Sequence, residues 1–261
     1  DVPGDRNDAR RPTGLQRRDH PPELVEIAKW VLGISGAAIL VMTVVALVGA
    51  SQCGGSLILR SISGFERLQG GRICLNGRSI GELDQPALLE RLAIVPREVF
   101  LFDGTVMQNI LGARQGSLEE VIAAAREACV HEEILALPRG YRTALGRRDL
   151  SQSLRLRLAL ARAFLRQPDL VLINEPLALL DEESEALLGQ AMARLTRGRM
   201  AVIRSHRLST VERATVVLLL QGGRIIQRGS HGELMERSGE YRRLWGRAAP
   251  DPVAPAASLS S

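Results

Sequence analysis

Short apolar runs bounded by turn residues alternate along this chain with stretches whose apolar positions recur at helical spacing. TVVALV (Thr43 to Val48), LAIVP (Leu92 to Pro96), LVLINEP, MAVIRSH and ATVVLLLQGGRIIQRG read as strands. Runs apolar at nearly every position have both faces buried, as in a parallel sheet covered on each side by helices. GRICLNGRSI (Gly71 to Ile80) reads as a strand, a tight Asn76-Gly77 turn and the start of another strand. From about Thr105 to Arg166 the period becomes helical, and in SLEEVIAAAREACV Ser117 with Glu120 three residues on predicts a capping box. The expectation is an α/β fold with a mostly parallel sheet, an antiparallel β portion and a helical subdomain at about 105–166.

The ends differ in composition. Residues 1–22 are rich in Pro, Asp and Arg, and residues 247–261 in Ala, Pro and Ser. Neither holds enough apolar surface to offset the entropy of ordering. They are expected to be a linker and a tail around a body spanning 23–246. No signal peptide opens the chain, and its first residue is not methionine, so it reads as the later part of a longer polypeptide.

One stretch carries two readings. No charge occurs between Lys29 and Arg60, and Val31 to Ala50 is long and apolar enough to span a bilayer. If Thr43 to Val48 is a strand, about a dozen residues remain, too few for a span.

Composition narrows the function classes. The 261 residues are 45% hydrophobic and carry a formal charge of +5 that is almost wholly arginine, since Lys29 is the only lysine. The arginines are scattered and aromatic residues are 3%, which argues against a nucleic-acid partner. Cys53, Cys74 and Cys129 lack metal-ligand spacing and read as free thiols of a reducing compartment.

Candidate chemistry lies in VALVGASQCGGSLILR, Val45 to Arg60. It has the outline of a phosphate-binding loop, G-x-x-x-x-G-K-[ST], from Gly49 through Gly54 to Ser56. Gly55 stands where the pattern has its lysine, and no other lysine is within reach of the loop in sequence. Small residues still allow backbone amides and a helix N-terminus to hold phosphate.

Further landmarks follow in order. They are LAIVPREVFLFDGTVMQNI (Leu92 to Ile110), DLSQSLRLRLALARAFLRQPDLVLINEP (Asp149 to Pro176) and IRSHRLSTVERATVVLLLQGGRIIQRGSHGEL (Ile203 to Leu234). With the loop, they make nearly the whole body resemble the nucleotide-binding domain of ATP-binding cassette (ABC) transporters of the exporter type, a P-loop NTPase-like fold. LPRGYRTALG and FLFDGTVMQNI carry the exporter likeness.

The resemblance implies ATP and Mg²⁺ as cofactors. It assigns Gly49, Ser51, Gly54, Gly55 and Ser56 to the phosphates, with the Ser56 hydroxyl on Mg²⁺. Asn174 stands for the Walker B aspartate that holds Mg²⁺ through its water shell, and Glu175 for the general base. His206 matches the switch histidine that contacts the γ-phosphate. Arg97 replaces the Q-loop glutamine, and its guanidinium binds phosphate rather than metal. Leu150-Ser151-Gln152-Ser153-Leu154 replaces LSGGQ, keeping Ser151. Asp181 matches the end of the D-loop, and Trp30 is the candidate to stack on adenine.

Loss of the lysine, the aspartate, the glutamine and the signature glycines predicts very slow hydrolysis, because phosphoryl transfer rests on positioning and charge stabilisation. Two classes stay open: an exporter ATPase subunit with residual activity from Glu175, His206 and Ser56, and a non-catalytic module that regulates an active partner. The resemblance further implies a transmembrane domain upstream in the same polypeptide, a second nucleotide-binding domain in a heterodimer, and a place on the cytoplasmic face of the bacterial inner membrane.

Overall fold

A computed structural model describes residues 43–50, 53–68, 73–75, 78–145, 150–174, 180–237 and 239–246. The predicted linker and tail, residues 31–42 and the Asn76-Gly77 turn lie outside them.

The apolar runs form a six-stranded sheet. In chain order its strands are β1 (Val44–Gly49), β4 (Leu92–Val95), β5 (Leu170–Asn174), β6 (Met200–Arg204), β7 (Val216–Gln221) and β8 (Arg224–Gly229). They lie side by side as β4-β5-β6-β1-β7-β8. All neighbours run parallel except β7 and β8, a hairpin through Gly222 and Gly223 whose pairing slips between Leu219 and Leu220. Cys74–Leu75 (β2) and Arg78–Ser79 (β3) pair antiparallel with Leu75 opposite Arg78, the register that the sequence predicts for a turn at Asn76-Gly77.

Central position explains why β1 reads as one continuous apolar run. Val45 and Leu47 pack on one face with Ile58, Leu59 and Ile62, whereas Ala46 and Val48 pack on the other with Val211, Leu219 and Tyr241. Val44–Gly49 is therefore a buried strand in the middle of a sheet. Among the described residues no helix is long and apolar enough to cross a membrane.

The helices follow the predicted period. α1 (Gly55–Ile62) leaves the loop after β1, and α2 (Gln85–Arg91) precedes β4. The helical region holds α3 (Val106–Leu111), α4 (Leu118–Glu127), α5 (His131–Leu135) and α6 (Gln152–Arg166). Thr105 and Ser117 both close capping boxes, with Gln108 and Glu120 respectively. α6 packs against α3, α4 and β4, so this region shares one core with the sheet. α7 (Glu182–Thr196) joins β5 to β6, and the chain continues through α8 (Leu208–Val211), β7, β8, α9 (His231–Arg237) and α10 (Gly239–Gly246). Cys53, Cys74 and Cys129 are free thiols.

Candidate functional site at the carboxyl ends of the parallel strands

Three strands that lie far apart in sequence end together: β1 at Gly49, β5 at Asn174 and β6 at Arg204. Ligands of open α/β sheets bind beyond such carboxyl ends. The loop after β1 begins with a residue that can only be glycine, since a Cβ on Gly49 would stand 2.3 Å from the Leu220 carbonyl oxygen of β7. The Cys53 amide donates to the Ala50 carbonyl at 3.1 Å, and Gly54 caps the helix with φ at +98°, a conformation that favours glycine. No side chain of the cap accepts from the first amides of α1, and no acidic residue lies in its first turn. Those amides and the positive end of the helix dipole suit an anion.

Four side chains meet beside this turn. Asn174 Nδ2 donates to Ser56 Oγ at 3.3 Å, and Asn174 Oδ1 accepts from an Arg204 Nη at 3.3 Å. The other Nη of Arg204 lies 3.1 Å from His206 Nε2. The Arg204 side chain is 7% exposed and runs along Gly55, where a Cβ would meet its Cδ at 3.0 Å and its Nε at 3.2 Å. Register puts it there: Arg204 pairs with Asn174 on one side and Leu47 on the other.

The sequence alone does not point to Arg204: it shows Gly55 as a loss of charge and offers Arg97 as the arginine that binds phosphate. Arg204 ends the apolar run MAVIR, a place where an arginine is ordinarily solvated, and only its burial, costly for a charge, marks it out. Arg97 itself is exposed, and its charge reaches His206 from a distance.

Burial, then the charges of Arg204 and Arg97, hold the His206 imidazole below its ordinary value of 6.5. A neutral ring is also what the Arg204 contact requires, since Nε2 must accept from the guanidinium. With the folded value depressed, the native state binds fewer protons than the unfolded chain in this window. Stability from this group is therefore present above about pH 6.5 and falls as pH drops through the folded value. Proton NMR titration is expected to put the His206 midpoint below 6.5, and Arg204→Ile to move it upward. A midpoint unchanged by Arg204→Ile would mean that the two side chains do not meet in solution.

The other predicted site residues lie apart from this cluster. Ser151 caps α6 by accepting from the Leu154 amide at 3.1 Å, and Asp181 caps α7 by accepting from the Ser184 amide at 2.8 Å. The amide and hydroxyl of Ser184 hold the exposed Asp181 carboxyl below the usual carboxylate range. Ser51, Glu175 and Trp30 lie outside the described residues. A larger cavity, of about 1000 Å³, flanks Val44, Leu180 and Thr215 at the opposite end of β1 and includes none of the clustered side chains.

A family model described as ABC transporter matches residues 39–178. This chain belongs to the ABC transporter family. The cassette is 40% identical over 218 residues to the mycobactin import ATP-binding/permease protein IrtA of Mycobacterium tuberculosis, covering 83% of this chain and 25% of that one. It is 36% identical over 204 residues to YgaD of Bacillus subtilis, a putative multidrug export ATP-binding/permease protein, covering 77% and 35%. It matches the structure of a bacterial Atm1-family ABC exporter with ATP bound at a TM-score of 0.75 and 36% identity, covering 80% of this chain and 38% of that one. The cassette thus spans about a quarter to a third of these curated relatives. Its fold and sequence are those of an exporter-type nucleotide-binding domain, with the loop, the strand bearing Asn174 and the strand bearing Arg204 meeting at one site.

The family implies ATP with magnesium, and the residues fit the two unequally. Gly49, Gly54 and the open N-terminus of α1 fit a phosphate chain. The metal half does not fit as well. Mg²⁺ favours charged oxygen ligands, and the residue at the Walker B position is a neutral amide whose oxygen already accepts from a guanidinium. Among the described residues no group of three His, Cys, Asp or Glu side chains is placed to hold a metal ion.

Proposed function

We propose that this cassette binds ATP and couples that binding to a transmembrane domain of an exporter, while hydrolysing it very slowly or not at all. The observation that carries the reading is the cluster of Ser56, Asn174, Arg204 and His206 beside Gly55: a phosphate-binding turn whose lysine and metal-binding carboxylate are replaced by a glycine and an amide. Hydrolysis depends on cations placed at the γ-phosphate and on an oriented water, and a single well-placed donor is worth about 10²- to 10³-fold in rate. Several missing at once leave a site that binds far better than it reacts. Binding alone still does work, because a ligand that prefers the closed form of a cassette pair shifts the pair toward closure.

The relatives named ATP-binding/permease proteins support a transmembrane domain in the same polypeptide. Phe65 and Ile94, 54% and 37% exposed, line a cleft of about 230 Å³ with Leu89 and Arg162, and this is the surface proposed to meet that domain. Such a protein works at the cytoplasmic face of the bacterial inner membrane. The second cassette is a different chain, with an intact loop and Walker B pair, because two sites altered in this way would leave the transporter without an engine. α6 starts at Gln152, so Gln152 and Ser153 occupy its first turn where the family has glycines.

Native mass spectrometry of the whole transporter, extracted from its own membranes, tests the pairing. One copy of this polypeptide with one different cassette chain is the expected composition. A dimer of two copies of this polypeptide, active in transport, would contradict it.

A further inference from the structure

Arg204 raises a question that the lost lysine does not answer by itself. A guanidinium is desolvated only at considerable cost, yet this one is 7% exposed, and among the described residues it forms no ion pair with a carboxylate. Among the described residues its partners are neutral: the amide oxygen of Asn174 and a ring nitrogen of His206. Those two contacts use two of the five guanidinium N–H groups. The side chain passes within 3.0 Å of where a Cβ on Gly55 would be, so it fills the room from which a side chain at position 55 would emerge. Glycine at 55 and arginine at 204 are therefore sterically coupled, the one making space for the other.

Charge points the same way. Where the family arrangement has a cationic lysine and a magnesium ion facing an aspartate, the described residues of this site place the Arg204 guanidinium against an amide. Asn174 Oδ1, the oxygen that would face a magnesium ion's water shell, already accepts from the guanidinium, and among the described residues no carboxylate pairs with that cation to offset a second one. A phosphate chain on the amides of α1, by contrast, would meet a planar fork that suits its oxygens.

We propose that Arg204 is the resident cation of this phosphate site, reaching in from β6 to do from the far side what the lysine of the loop and the metal do elsewhere, so that the cassette binds nucleoside triphosphate without magnesium. The proposal rests on the reading of this cassette as an ATP-binding domain. It deepens that reading by separating the nucleotide from its metal. Asn174 and His206 act as positioning residues, holding the guanidinium in one orientation through its two Nη atoms.

The test is equilibrium binding of ATP to the purified 261-residue chain, in magnesium and in excess EDTA, for the unaltered protein, Arg204→Ile and Arg204→Lys. The unaltered chain is expected to bind ATP within about threefold as tightly in EDTA as in magnesium. Loss of a charge-assisted contact predicts roughly 10- to 100-fold weaker binding by Arg204→Ile in EDTA. Arg204→Lys, which keeps the charge but not the fork, should recover part of it, and it also serves should the isoleucine variant not fold. Binding that requires magnesium, with both variants unaffected, would overturn the proposal and leave the ATP-binding reading intact. Tighter binding by Arg204→Ile would make the guanidinium a plug rather than a ligand, and would also overturn it. No binding by the unaltered chain in either condition would overturn both readings.

Discussion

Restoring the lysine alone is expected to leave ATP hydrolysis by this cassette where it was. Gly55→Lys adds the cation that the loop pattern lacks, but its Cβ would stand 3.0 Å from the Arg204 Cδ and its stem would compete with the guanidinium for the same space. Two cations in that volume repel, and nothing is gained at the metal, because Asn174 is still an amide. Gly55→Lys combined with Arg204→Ile and Asn174→Asp removes the obstruction and supplies a carboxylate for the metal. Phosphate release by the triple variant, assembled with its partner cassette, is expected to rise about 10²-fold or more over the unaltered chain. Parts that act as a unit give little singly and much together, so the contrast between one substitution and three is the informative result. A full recovery from Gly55→Lys alone would show that Arg204 does not occupy the space in which the structure places it.

The second large effect concerns stability. Gly49→Ala would push a methyl group to 2.3 Å from the Leu220 carbonyl oxygen and to 2.9 Å from Cys53 Cβ. The first of these is a backbone atom of the neighbouring parallel strand, held by the β1–β7 pairing that aligns Gly49 with Leu220, so it has no rotamer by which to move away. Overpacking of this kind costs about 3 kcal/mol. For a domain of this size that corresponds to a fall in Tm of about 10 °C. Thermal denaturation followed by circular dichroism would check it, and a Tm within about 2 °C of the unaltered protein's would show that the strand yields. The same glycine thus serves the phosphate turn and the sheet together.

What the sequence revealed was set by how local each signal is. TVVALV and LVLI announce themselves as buried parallel strands because both faces are covered, and covered strands leave no polar positions to confuse the period. The capping box at Ser117 and Glu120 was equally legible, since it needs only residues three apart. The strand boundaries differed by one residue, with β1 running Val44–Gly49 rather than Thr43 to Val48. Gly49 belongs to the strand because its backbone still pairs with Leu220.

The site was legible where it follows the loop and hidden where it depends on register. Gly54 and Ser56 could be read from spacing, and His206 from the resemblance. Arg204 could not, because its meaning arises only when β6 is placed between β5 and β1, bringing together residues 30 and more than 140 positions apart. Read alone, an arginine ending MAVIR is a solvated strand end. Buried against Gly55, it is the charge that the loop lacks. Ser151 and Asp181 illustrate the reverse, motif positions whose side chains in this chain cap α6 and α7. Those contacts add nothing to the phosphate cluster of this cassette.

Binding and turnover separate most sharply when they are measured in one sample. ATP is titrated into the 261-residue chain with magnesium present, and bound nucleotide and released phosphate are followed together. Saturable binding with phosphate release at background is the predicted result. Turnover near the typical enzymatic rate of about 10 s⁻¹ would contradict it and return the cassette to the catalytic members of its family.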